Sequence, residues 1–142
     1  MTIAAILGGK GQDVITIGGG ATVREAVTLL ADKRIGAVPV MEGSTVAGIF
    51  SERDAIHCLQ SDGAAALDKQ VRMVMTAPAI SVARDEPVLA ALSLMTRRRI
   101  RHLPVVENGQ LLGFVSIGDL VKYRIDRIET EANQMRAYIQ SA

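Results

Sequence analysis

Apolar positions along this chain follow two alternating periods. Val23, Ala26, Val27 and Leu30 stand at i, i+3, i+4 and i+7, and Val88, Ala91, Leu92 and Met95 repeat that spacing. Each set lays one apolar stripe along a helix. Thr22 with Glu25 three residues on reads as a capping box for the first helix. Pro87 stands at the first turn of the second, where a missing N–H costs little. After each helix comes a short apolar run, Ala37–Met41 or Leu103–Val106, then a turn at Glu42-Gly43-Ser44 or Glu107-Asn108-Gly109. Asn-Gly is a strong hairpin signal. A second run follows, Val46–Phe50 or Leu111–Val115, and Ser51-x-x-Asp54 or Ser116-x-x-Asp119 opens a further helix. With a strand before each first helix, the order is strand, helix, strand, strand, helix, twice. Gly18–Gly20 and Asp62–Ala66 read as loops, and Leu67–Met75 as a short linking helix.

The two halves carry one pattern. A shift of 65 residues pairs Val23 with Val88, Arg34-Ile35 with Arg99-Ile100, Pro39-Val40 with Pro104-Val105, Gly48 with Gly113, Ser51 with Ser116 and Asp54 with Asp119. Over 16–56 against 81–121, 11 of 41 positions are identical without a gap. This is one supersecondary unit present twice. Neither copy is large enough to bury much surface alone, so the pair is expected to pack as one pseudo-symmetric body.

Composition narrows the function. In 142 residues, 49% hydrophobic and 22% charged is ordinary for a globular chain, and 16 Lys+Arg against 15 Asp+Glu gives a net charge of +1. Such a balance offers no broad field to nucleic acid or an anionic membrane. Aromatic residues are only 3%, poor material for stacking bases. One cysteine, Cys58, cannot form an internal disulfide, and no Cys/His cluster has metal-ligand spacing. The apolar run Ile3–Leu7 is too short to span a membrane and has no charged leader before it, so a soluble, cytoplasmic chain is expected.

Ile35-Gly-Ala-Val-Pro39-Val and Ile100-Arg-His-Leu-Pro104-Val-Val lead through a hairpin to Gly48-Ile-Phe-Ser51-Glu-Arg-Asp54 and Gly113-Phe-Val-Ser116-Ile-Gly-Asp119. In these segments the chain resembles the cystathionine-β-synthase (CBS) domain, two of which in tandem form a Bateman module. The resemblance covers roughly 12–125. It implies an α/β (α+β) fold with the two sheets packed together about a pseudo-twofold axis and helices outside. It divides the chain into repeat 1 (12–61), a linker (62–76), repeat 2 (77–125) and a C-terminal helical extension (126–142). It also implies two clefts for adenosine-containing ligands: AMP, ADP, ATP, NAD(H) or S-adenosylmethionine. With no catalytic domain alongside, the expected function is a non-catalytic, stand-alone sensor that signals to a protein partner.

The paired motifs have chemistry of their own. A carboxylate near a helix start can accept two hydrogen bonds at once, which suits the vicinal hydroxyls of a ribose. Ser51 and Ser116 stand where a hydroxyl and helix N-terminal amides can meet a phosphate. Ser-x-x-Asp is equally a helix cap, and both roles can hold together. The family pattern builds each cleft from both repeats. On that pattern the Asp54 cleft takes Ser51, Arg53, Ile80, Arg101, His102, Leu103 and Pro104. The Asp119 cleft takes Ser116, Gly118, Thr16, Gly36, Ala37, Val38 and Pro39. Arg53, Arg101 and His102 can hold phosphate, so the tighter site and the charged end of the ligand are expected on the Asp54 side.

The run Arg97–Arg101 is the one dense patch of charge, and it carries the alternative function, association with nucleic acid. Arg97 and Arg98 also read as cations complementing a helix C-terminus. His57 and Cys58 are adjacent on a helix and point to different faces, so they form no nucleophile pair. Gly8-Gly9-Lys10-Gly11 lacks the Gly-Lys-Ser/Thr ending of a P-loop and reads as a flexible turn, with Lys10 and Gly11 near the Asp119 cleft. In the last helix Val121, Ile125, Ile128, Ala132, Met135 and Ile139 step by 4, 3, 4, 3, 4, a heptad seam. It either folds back on its own module or pairs with a second chain, and the resemblance implies a homodimer, since CBS modules commonly associate as flat dimers through helices.

Overall fold

The computed structural model describes residues 1–10 and 13–141. Helix α1 is Ile3–Lys10 and strand β1 is Ile17–Gly18; α2 (Val23–Lys33), β2 (Ala37–Glu42), β3 (Thr45–Ser51) and α3 (Glu52–Asp62) follow. Two 3-10 turns, Gly63–Asp68 and Val71–Met73, lead to α4 (Val88–Arg98), β4 (His102–Glu107), β5 (Gln110–Ser116) and α5 (Ile117–Ser141). The fold is mixed α and β, as the doubled pattern requires.

Local chemistry explains the boundaries. The Thr22 hydroxyl accepts the Glu25 N–H at 3.1 Å. Both α2 and α4 end on an arginine in the left-handed region, Arg34 (φ 54) and Arg99 (φ 55). The next amides, Ile35 and Ile100, donate back to Leu30 and Met95, the six-residue closure of a Schellman motif. Asn108 (φ 51) and Gly109 (φ 77) give the β4–β5 turn two consecutive left-handed residues, the geometry that matches strand twist.

Strands β1-β2-β3 form one sheet and β4-β5 another. The hairpins keep the 65-residue equivalence: Ala37 pairs with Ser51 as His102 pairs with Ser116, and each hairpin breaks register at its matching point, Val40/Met41 and Val105/Val106. The strand expected before α4 shrinks to one parallel bridge, Val82 with Val105. Strands β3 and β5 lie against each other, joining the repeats.

Each repeat has its own apolar cluster, and each is completed by the segment that leads into the other repeat. Ile3 and Ile6 of α1 are buried with Val88, Leu103 and Val115 of repeat 2. Ala66 and Val71 of the linker are buried with Val23, Val38 and Phe50 of repeat 1. The hydrogen bonds match pair for pair. Val88 N–H donates to the Met1 carbonyl as Val23 N–H does to Lys69, Ile3 to Glu86 as Val71 to Ala21, and Ala4 to Arg84 as Arg72 to Gly19. These lead segments are related by 68 residues, not 65.

Two expectations are corrected. Gly8, Gly9 and Lys10 lie in α1 rather than in a flexible turn, because the Ile3–Ile6–Leu7 face of that helix is anchored on repeat 2. The proposed place of Gly11 and of the Lys10 side chain falls outside the described residues. The linking helix is not an α-helix: Lys69 and Gln70 are extended (ψ 154 and 143) so that their backbone can reach Ala21, Thr22 and Val23.

Candidate functional site

The repeated Ser-x-x-Asp motif sits where a hairpin's second strand runs into a helix. Hairpin register brings the opening residue of the first strand, Ala37 or His102, directly opposite the helix-capping serine. The residue before it then closes the turn. The Gly36 carbonyl accepts the Glu52 N–H at 3.0 Å, and the Arg101 carbonyl accepts the Ile117 N–H at 2.8 Å. At each helix start the aspartate amide donates to the serine hydroxyl, and the serine amide donates to the aspartate carboxylate at 2.9 Å (Asp54) and 2.8 Å (Asp119). The capping reading therefore holds at both positions. Two of the first three helical amides are thereby taken, which weakens the idea of a phosphate resting on bare N–H groups there.

The two ends diverge from this common base. The Ser51 hydroxyl donates to Asp54 Oδ2 at 3.1 Å and the Thr76 hydroxyl donates to Oδ1 at 2.8 Å, so both carboxylate oxygens hold protein donors. Thr76 is fixed by backbone bonds in both directions with Ile49. A Cβ on Gly48 would stand 2.6 Å from the Thr76 carbonyl and 2.8 Å from Met75 Sδ. The Met75–Thr76 segment thus lies across the Asp54 side. At the 68-residue relation Gly8 stands where Thr76 does, so that position brings no hydroxyl to the second side. Leu7 corresponds to Met75, and it packs over Gly113 as Met75 packs over Gly48.

The Asp119 side opens into a cavity of about 430 Å³, within the range of small-ligand sites. Repeat 2 contributes His102, Phe114, Ser116 and Asp119; repeat 1 contributes Val14, Ile15 and the stretch Arg34 to Ala37. Leu7 and Asp13 close the rim. The His102 and Phe114 rings stack at 5.5 Å and 13°. A Cβ on Gly36 would lie 3.4 Å from the His102 ring, so only a very small residue fits between β2 and that imidazole.

The sequence-derived site residues are only partly brought together. Gly36, Ala37, Ser116 and Asp119 meet in the cavity, as assigned. His102, placed on the Asp54 side by the sequence reading, also lines this cavity, since it opens β4 opposite Ser116. The sequence reading puts the tighter site and the charged end of the ligand on the Asp54 side, while the cavity of about 430 Å³ lies on the Asp119 side. Val38, Pro39 and Pro104 are buried within the strands, and Ile80 packs on the repeat 2 core. Thr16 and Gly118 are exposed, as is Arg101. Arg53 reaches across to repeat 2, where its guanidinium donates to the Arg99 carbonyl at 3.1 Å and caps α4. With Arg97 and Arg98 in the last turn of α4 and Arg99 as its left-handed cap, the arginine run finishes a helix with its side chains exposed. Arg34, Leu7, Asp13 and Phe114 line the cavity and were not singled out from the sequence. For Arg34 the signal was the repeated Arg-Ile dipeptide.

Comparison with known proteins agrees with the doubled architecture. The family model described as CBS domain matches twice, over residues 11–61 and 71–126. "CBS domain-containing protein CBSX3, mitochondrial" of Arabidopsis thaliana is 36% identical over 124 residues, 84% of this chain and 60% of that protein. The chain therefore spans less than two thirds of that relative. The crystal structure of the CBS-domain containing protein ATU1752 from Agrobacterium tumefaciens superposes with a TM-score of 0.83 at 39% identity, covering 87% of this chain and 92% of the other. The CBS domain pair of protein MJ0100, solved in complex with 5-methylthioadenosine and S-adenosyl-L-methionine, shares the fold at a TM-score of 0.79 and 22% identity, with 89% and 98% covered.

Proposed function

Since this chain belongs to the CBS-domain family, we propose that it is a non-catalytic regulatory module that binds an adenosine-containing ligand in the Asp119 cleft. The observation that carries this reading is the composition of the cavity, with Ser116 and Asp119 from one repeat and Arg34 to Ala37 from the other. The aliphatic side chains of Val14, Ile15, Ile35 and Leu7 suit the faces of a flat base, and backbone groups of 35–37 suit its polar edge. The Asp119 carboxylate suits ribose hydroxyls. Arg34 provides the cationic end, with a His102 ring N–H as a further donor, for phosphate in AMP, ADP, ATP or NAD(H), or for the carboxylate of S-adenosylmethionine. A ligand that touches both repeats favours one relative orientation of them, and a partner protein reads that orientation. The chain acts in this scheme as a homodimer. Among the described residues no helix is long and apolar enough to cross a membrane.

Thermal-shift titration with AMP, ADP, ATP, NAD, NADH, S-adenosylmethionine and 5-methylthioadenosine against GTP tests the reading. A ligand at a hundred times its Kd stabilises the folded state by about 2.7 kcal/mol, a rise of several degrees in Tm. At least one adenosine compound should give that rise, with GTP well behind and calorimetry reporting one site per chain. A guanosine response equal to the best adenosine response would overturn the proposal.

A further inference from the structure

The apolar seam of α5 is left uncovered by the chain's own module. Val121 is 42% exposed, Ile125 50%, Ile128 49%, Met135 60% and Ile139 66%, on a helix that continues to Ser141. Ile125, Ala132 and Ile139 occupy one seam position of the heptad, and Val121, Ile128 and Met135 the other. Twenty-five residues at 1.5 Å each extend about 37 Å, so most of this stripe stands clear of the β-sheets.

The charges beside the seam select the partner and its direction. Lys122, Glu129 and Arg136 flank one side of the seam; Arg124, Glu131 and Tyr138 flank the other. In a parallel, in-register pair, each flanking residue of the second kind meets a residue of the first kind one turn and a half further along the other helix. Arg124 then faces Glu129 of the second copy, Glu131 faces Arg136 of the second copy, and symmetry doubles both contacts. An antiparallel pair with the whole seam overlapped sets Glu129 against Glu129, Glu131 against Glu131 and Lys122 against Arg136, all repulsive, and a slip of one heptad relieves those charges only by leaving Met135 and Ile139 unpaired. Among the described residues of one chain these groups hold exposed contacts, Glu131 with Arg127 at 3.8 Å and Arg136 with Asn133 at 3.0 Å, which a second helix displaces easily. We propose that two copies of this chain join through a parallel coiled coil of their α5 helices. This rests on the homodimer reading above and gives that dimer its surface and its polarity.

Light scattering on the full chain, with one crosslink, tests it. Met135→Cys should yield a disulfide-linked dimer under mild oxidation, since parallel pairing sets the two positions face to face and antiparallel pairing sets Met135 opposite Ile125. Cys58 is buried, so the unaltered chain serves as the uncrosslinked control. Glu129→Arg with Glu131→Arg makes the flanks basic and should weaken self-association at least about ten-fold. Arg124→Glu with Arg136→Glu makes them predominantly acidic and should do the same, and mixing the two variants should restore pairing. Circular dichroism confirms that both remain folded. A monomeric wild type would refute the homodimer itself. A dimer that neither crosslinks through Met135→Cys nor responds to the charge exchanges would overturn the coiled coil alone and move the interface to the other exposed apolar face, the groove between α2 and α3 around Ile56.

Discussion

Phe50→Ala is expected to lower stability by about 3–5 kcal/mol and to take both repeats down in one transition. Phe50 is fully buried and is the largest side chain in the repeat 1 cluster, where it meets α2, β2 and the linker residues Ala66 and Val71. Its loss leaves a ring-sized void bordered by strands that cannot collapse into it. The two halves cannot unfold separately without cost, because β3 lies on β5 and because residues 1–7 belong to the repeat 2 core while residues 66–75 belong to that of repeat 1. Denaturant unfolding of Phe50→Ala in a Tyr138→Phe background, where Tyr123 is the one remaining tyrosine, should therefore shift tyrosine fluorescence, which reports on the repeat 2 cluster, together with the far-ultraviolet dichroism of the whole chain. A two-step curve with the Tyr123 signal unshifted would show independent repeats.

The second large effect separates the two aspartates. Asp119→Ala should weaken the adenosine ligand by about 1.5–3 kcal/mol, the range for hydrogen bonds to a charged group, roughly ten- to hundred-fold in Kd. Asp54→Ala should leave the Kd unchanged. Its carboxylate is bound by Ser51 and Thr76, so removing it costs folding stability instead, about 0.5–2 kcal/mol for the cap alone. Calorimetry and thermal unfolding on both variants give four numbers with opposite patterns. Loss of binding in Asp54→Ala with normal binding in Asp119→Ala would return the site to the other end of the module.

What was readable in the sequence is what the repeat carries locally. The helical stripes, the hairpins and the Ser-x-x-Asp capping motifs all depend on neighbours within a few residues, and they appear where the 65-residue shift placed them. The lead segments escaped because their relation is 68 residues: Leu7 is nine residues before Thr16, while Met75 is six before Ser81. An ungapped comparison slides past that difference. The linker kept only 3-10 turns in place of an α-helix because its backbone is engaged with Ala21 and Val23, a tertiary demand that no local pattern announces. The unequal clefts were anticipated, but from the charges of Arg53, Arg101 and His102. In the fold the two sides differ at other points: Thr76 against Gly8, and the pairing of His102 with Ser116, which hairpin register alone could have supplied.

The exchange of lead segments also dictates an order of events during synthesis. Repeat 1 has its full set of core partners once residue 75 has emerged. Residues 3–7 must wait for repeat 2, because Ile3 bonds to Glu86 and packs in one cluster with Leu120. Until then Ile3, Ile6 and Leu7 travel as an exposed apolar stretch of the nascent chain. The contact between these residues and repeat 2 is a closure of high sequence separation and therefore slow. A change that hinders residues 1–7 would harm repeat 2, far from it in sequence.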